Sequence, residues 1–298
     1  MSEIMLQQTR AQSVIPYYER FLERFPAPRD LAEAAESEVL THWSGLGYYQ
    51  RARNLRRAAQ RIVEAGGFPS EYEAIRELPG VGPYTAAAVG SIAFGIGRAV
   101  VDGNVLRVIS RITVDPSDIG APATKERFES VAEGLLDRRD PGRFNQAMME
   151  LGATICLPRD PLCLLCPVSS DCKARIEGKQ AQLPVKLKRI EPVRVETTLL
   201  LVERGEKILL WRRDPDSLRL GGFWELPSTE DFPEVTPQET LGSFRHSITN
   251  HNYTCTVMRA RVTRASNRFQ WIERSELKQL PLSTTARKAM AFLPSPEC

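Results

Sequence analysis

Four cysteines, Cys156, Cys163, Cys166 and Cys172, crowd one short stretch of a 298-residue chain in the pattern C-x6-C-x2-C-x5-C. Thiolates at such spacing can ligate one soft metal centre, either zinc or a [4Fe–4S] cluster. Ligand count alone does not choose between them. Zinc ribbons commonly pair two C-x2-C knuckles, and this stretch holds one, which favours iron–sulfur. Cys255 and Cys298 lie far outside it and read as ordinary thiols. The opening MSEIMLQQTR lacks the basic and apolar regions of a secretory signal. No apolar run approaches the roughly 20 residues that span a bilayer. A cytoplasmic protein with no membrane association is expected, in which six cysteines form no disulfide framework.

The length allows two domains, each with its own core. Apolar residues recur at helical spacing over 13–25, 31–43, 52–65, 84–93 and 125–137, between short Gly, Pro or Asp breaks. A helical domain over 1–178 is expected. Residues 179–195 are polar, basic and punctuated by Pro184 and Pro192, as in an exposed linker. Beyond it, 197–202 and 207–211 flank a turn-like 203–206 as a hairpin, 253–258 and 269–272 read as further strands, and 284–292 as a closing helix. The second domain, 196–298, is therefore a smaller α+β unit. At 42% hydrophobic and 26% charged residues the chain is of ordinary soluble composition, and its net charge of +3 is too small to assign a nucleic-acid partner.

Leu78-Pro79-Gly80-Val81-Gly82 stands between two helical segments. Gly80 and Gly82 permit a tight hairpin near 78–93 whose backbone N–H groups, with the next helix N-terminus, can hold a DNA phosphate without reading sequence. Further on, Val101-Asp102-Gly103-Asn104-Val105 places an Asp at a helix start, where an N-cap is the simplest role.

LPGVG, VDGNVLRV and the cysteine pattern, in this order, resemble the endonuclease III superfamily of DNA glycosylases. Ser2-Glu3-Ile4-Met5-Leu6-Gln7-Gln8-Thr9, Gly45-Leu46-Gly47-Tyr48-Tyr49 and the run FNQAMMELGA from Phe144 to Ala153 look like the MutY-type adenine glycosylases in particular. The resemblance implies an all-α helix–hairpin–helix domain with a [4Fe–4S] loop at 156–172, acting as a monomer on double-stranded DNA. Its implied activity is excision of adenine mispaired with 8-oxoguanine (or guanine) in base-excision repair. By the same resemblance Glu3 is the general acid at adenine N7 and Asp102 the carboxylate that stabilises the oxocarbenium-like sugar. Gln8 and Tyr48 wedge into the duplex, Gln146 binds the extruded adenine, and Tyr84 and Asn104 lie at the substrate. Lyases of the superfamily carry a lysine where this chain has Tyr84. A tyrosine cannot form a Schiff base, so hydrolysis without strand cleavage is expected.

Residues 196–298 look like the Nudix-related domain with which such glycosylases inspect 8-oxoguanine. Trp224-Glu225-Leu226-Pro227 matches its GFWELP-like turn, yet LPSTEDFPEVTPQETLG lacks the carboxylate run of a hydrolytic Nudix box. Thr249, in Ile248-Thr249-Asn250, falls where the family reads the lesion. The match begins almost at Met1, whereas family members carry a further helix and a Leu-Pro-Trp-Arg-like motif first; the expectation is either a misassigned or truncated start or impaired activity. The alternatives are an endonuclease III-like glycosylase/lyase and a non-catalytic lesion-binding iron–sulfur protein.

Overall fold

The computed structural model describes residues 1–187, 191–217, 220–230, 232, 235–248, 250–262 and 267–293. Helices come first: α1 Ser2–Leu6, α2 Ala11–Arg24, α3 Pro28–Glu33, α4 Glu36–Trp43, α5 Gln50–Glu64, α6 Tyr72–Arg76, α7 Pro83–Phe94, α8 Gly103–Thr113, α9 Pro122–Leu135, α10 Pro141–Glu150 and α11 Lys173–Ile176. Strands β1 Val193–Leu201, β2 Glu203–Arg204, β3 Lys207–Arg212, β4 Trp224–Glu225, β5 Val235–Ile248, β6 His251–Val262 and β7 Phe269–Glu273 follow, closed by α12 Thr284–Met290. No described helix is long and apolar enough to cross a membrane.

Contacts divide the chain into two compact units. Met1, Glu3 and residues 64–189 form one; Ser2 and residues 4–63, with 190–298, form the other. In the first, α8 buries Val105, Leu106 and Ile109 against Phe128 and Ala132 of α9. The alanines of α7 keep its surface low, and Ala87 and Ala88 pack around Val100. Helix starts follow their local chemistry. Asp102 and Asp140 cap α8 and α10 with their carboxylates, and Pro83 and Pro141 take first-turn positions where no N–H is needed.

In the second unit Phe21 lies against Phe25 and, edge-on, against Trp43, giving the helices an aromatic centre. The strands form two sheets. One runs β1-β6-β5, with β1 parallel and β5 antiparallel to β6; the other runs β2-β3-β4, with β7 on β3. Leu201, Ile208, Leu210, Val257 and Leu282 pack with Ala286 and Ala289 of α12 as their shared core.

Two local expectations need correction. The pattern over 31–43 is two helices, broken at Ala34 and Ala35, both extended. The hairpin is β2 on β3, while β1 leaves it to run parallel to β6.

Candidate active site and cysteine loop

Asp102 is bonded through both carboxylate oxygens. Oδ1 accepts the Val105 N–H at 2.7 Å as the N-cap of α8, and Oδ2 accepts the Asn104 side-chain amide at 2.9 Å. The Asn104 oxygen in turn accepts Nη2 of the buried Arg107 at 2.9 Å. Arg107 also donates to the Gly152 carbonyl at 2.6 Å and the Cys156 carbonyl at 2.7 Å. A continuous polar chain thus links the carboxylate to the first cysteine of the loop.

Glu3 on α1 titrates in the same environment. Burial pushes its carboxyl above the ordinary value; the Met1 ammonium opposes this and the Asp102 charge adds to it. Tyr84, on the first turn of α7, is half-buried and donates its hydroxyl to Met149 Sδ at 3.5 Å. Its phenol is pushed up by burial first, then by the charges of Glu3 and Asp102. Glu3 and Tyr84 are thus both partly desolvated, and each interacts electrostatically with Asp102.

The remaining sequence candidates are dispersed. Gly80, at φ 78°, turns the chain between α6 and α7, and exposed Gly82 opens α7. Gln146 is exposed and lines a depression with Ser91, Arg139 and Arg143; neither carboxyl lines it. Gln8 and Tyr48 belong to the other unit, where both take left-handed backbone, at φ 56° and 49°, and line one cavity of about 760 Å³ with His246 and Ile248. Thr249 lies outside the described residues.

Cys156, Cys163, Cys166 and Cys172 line a common cavity with the buried Arg111. Arg111 Nη1 donates to Cys156 Sγ at 3.2 Å, and Cys172 Sγ to the Arg111 carbonyl at 3.6 Å. Burial pushes the Cys163 thiol up, and the charges of Cys156, Cys172 and Cys166 push it further; Arg111 opposes. Among the described residues no three His, Cys, Asp or Glu side chains group closely enough to hold a metal ion.

Residues 1–133 match the HhH-GPD superfamily of base excision DNA repair proteins, and residues 197–292 match the NUDIX domain. A solved thermostable thymine-DNA glycosylase is 32% identical at a TM-score of 0.51, covering 59% of this chain and 82% of that one. The chain belongs to the HhH-GPD superfamily. The adenine DNA glycosylase of Homo sapiens is 38% identical over 276 residues, covering 76% of this chain and 50% of its own length. That of Mus musculus is 39% identical over 274 residues, covering 76% and 53%. This HhH-GPD chain thus spans about half the length of the curated relatives it matches. Its helical superfamily domain is followed by a smaller Nudix-like domain of sheets and one closing helix.

Several residues that organise this HhH-GPD protein escaped sequence reasoning. Buried Arg51 donates to the carbonyls of Ile4 (3.0 Å), Met5 (2.8 Å) and Gln7, to Thr9 Oγ1 (3.1 Å) and to the Gly47 carbonyl (3.2 Å). One guanidinium therefore closes α1 and holds the segments carrying Gln8 and Tyr48. Buried Asn145 donates to Ser91 Oγ and the Arg98 carbonyl and accepts the Val100 N–H, fixing the approach to Asp102. Arg107 and Arg111 are one helical turn apart in VDGNVLRVISR. That spacing on an otherwise apolar helix was the available signal.

Proposed function

We propose that this protein is an adenine DNA glycosylase that removes adenine paired with 8-oxoguanine by hydrolysis. The carrying observation is that Glu3, a carboxyl whose pKa burial raises, interacts electrostatically with Asp102, a carboxylate held by two hydrogen bonds. N-glycosidic hydrolysis divides its work in this way.

Glu3 delivers its proton to adenine N7. The N9–C1′ bond then breaks, and its electron pair leaves with the base. Asp102 faces the cationic sugar, and its oxygens are already oriented by Val105 and Asn104. A water adds at C1′ and returns its proton to Glu3, leaving an abasic site. Tyr84 stands where a lyase would carry lysine, so no imine forms. Gly80 and Gly82 present backbone N–H groups to phosphate, Gln8 and Tyr48 enter the duplex, Gln146 contacts the extruded adenine, and Thr249 reads the lesion.

The residues that would hold a [4Fe–4S] cluster are Cys156, Cys163, Cys166 and Cys172, an all-thiolate donor set that lines one cavity and suits a soft metal centre. When bound, such a cluster ties together a loop by four iron–thiolate bonds. Arg107 and Arg111 transmit the position of that loop to α8.

A single-turnover assay on a duplex with one 8-oxoguanine:adenine pair tests the function. Adenine release without strand scission, and without borohydride trapping, is expected. Binding without release overturns it, as does strand cleavage concurrent with base loss.

A further inference from the structure

A groove of about 720 Å³ in the second unit carries an uncompensated charge that the proposed chemistry does not use. Arg20 of α2, Arg212 of β3, Lys278 and Arg287 of α12 line it, with Glu38 as the single carboxylate. Glu38 is already paired with Arg24 at 2.6 Å. None of the four cations has a carboxylate partner among the described residues. Arg20 lies over the Tyr17 ring, Arg212 donates to the Gly222 carbonyl, and Arg287 donates to the carbonyl and hydroxyl of Ser44. All four side chains are exposed. A chain with a net charge of only +3 therefore concentrates four unpaired cations around one depression.

The other groups show what class of ligand suits such a lining. The Thr41 hydroxyl is spent on the Ser37 carbonyl (2.8 Å) and lies within 3.2 Å of the Gln279 carbonyl, and the Ser44 hydroxyl donates to the Leu282 carbonyl (2.8 Å). Trp224 is buried, with the Arg212 guanidinium 6.0 Å from its ring centroid, and the half-buried His42 ring lies edge-on to Phe25 with its Nδ1 2.9 Å from the Glu38 carbonyl. The groove thus has few free hydroxyls to read a particular group. What it offers is positive charge, and a ligand recognised by charge alone is a sequence-independent polyanion.

Ser44 connects the groove to the proposed wedge. It accepts Arg287 at 2.7 Å and directly precedes the Gly45–Tyr48 loop, whose residues line the neighbouring cavity. We infer that this groove is an additional seat for DNA backbone phosphates, held by Arg20, Arg212, Lys278 and Arg287, beside the segment that enters the duplex. This rests on DNA being the substrate proposed above.

The test is the salt dependence of binding to a 30-base-pair duplex, with the R20Q/K278Q variant against the parent. Both replaced side chains are exposed and lie outside the proposed reaction chemistry. Each lost phosphate contact lowers the slope of log affinity against log salt by about 0.9. The parent is therefore expected to lose roughly twelvefold more affinity than the variant between about 50 and 200 mM salt. The charge-retaining R20K/K278R variant should keep the parent slope, which separates charge from folding. Equal slopes for parent and R20Q/K278Q overturn the inference. So does an unchanged slope combined with thermal stabilisation of the parent alone by ADP, which marks a free-nucleotide site, or with binding of polyglutamate by the parent alone, which marks an acidic protein surface. Adenine release is measured separately at saturating DNA. Its absence in both proteins refutes the proposed activity, yet leaves the slope comparison able to decide the groove.

Discussion

Asn104 donates its side-chain amide to Oδ2 of Asp102 at 2.9 Å while its own oxygen accepts Arg107. The amide thus has one orientation that satisfies both neighbours, and the carboxylate inherits it. Asn104→Ala leaves Asp102 with its helix-capping bond alone. A hydrogen bond to a charged group contributes about 1.5–3 kcal/mol, so single-turnover adenine release should fall by roughly one to two orders of magnitude. Gel-shift affinity should stay near the parent value; an unchanged rate would dismiss the role given to Asn104.

Arg107 joins that amide to the cysteine loop, and Arg107→Met should disturb both ends. The Gly152 and Cys156 carbonyls lose a buried donor, at about 1–3 kcal/mol each if left unsatisfied. The expected result is a lower midpoint in urea together with slower release. Loss of stability with a parental rate would uncouple the loop from the carboxylate.

Gly152 lies against the back of Asn104. A Cβ at this position would stand 2.6 Å from the Asn104 Cβ and 3.1 Å from its backbone, so Gly152→Ala forces the start of α8 to shift. Overpacking of this kind typically destabilises by about 1–3 kcal/mol. Thermal unfolding should show the loss, and the release rate should drop beyond what the lowered stability explains.

For Glu3 the pH dependence follows from its raised pKa. The folded protein favours the protonated carboxyl, so this preference is fully present below the unfolded glutamate value and is lost as pH rises through the folded one. Release should decline over the same rise, because the proton donor disappears. Glu3→Gln should lower the rate by roughly 10²–10⁴-fold. It should also melt higher than the parent at alkaline pH, since a neutral amide avoids the desolvated charge. The stability gap should close in acid, and a constant gap across pH would contradict the burial of Glu3.

Arg51 provides the last test. Arg51→Met strands the carbonyls of Ile4, Met5, Gln7 and Gly47 at once. Breaking a buried charged network costs about 3–5 kcal/mol. The variant should lose cooperativity in the second unit, as read by Trp43 fluorescence, along with discrimination between 8-oxoguanine and guanine opposite adenine.

Features carried by short-range chemistry were legible in the sequence. Asp102 reads as a helix cap and is one, Gly80 occupies the left-handed turn its motif requires, and the four cysteines share a cavity. Strand β5 was not legible. Its register slips at Pro237–Glu239 and again at Thr240–Gly242, which breaks the period of two in its first half; only Ser243–Ile248 alternates exposed and half-buried residues. The break between α3 and α4 is hidden because Ala34 and Ala35 are good helix formers whose extended backbone is set by tertiary packing. Arg51, Arg107 and Arg111 look like surface cations in a basic chain. Their burial depends on carbonyls far away in sequence, and the one local sign is the one-turn spacing of Arg107 and Arg111 on an otherwise apolar helix.

Helix α10 does not simply end at Glu150. It widens into a π turn over Leu151–Ile155, which delivers Gly152 against Asn104 and Cys156 to the thiol cavity. A π turn holds one residue more than the α-helix around it. Deleting Ala153 would let the α-helix continue with better hydrogen bonds, yet rotate everything after it by about 100° relative to everything before. Gly152 and Cys156 could then no longer both keep their places. The widened turn is a phase adjuster, and it explains how a locally stabilising deletion would leave the cysteine loop out of step with the carboxylate it supports.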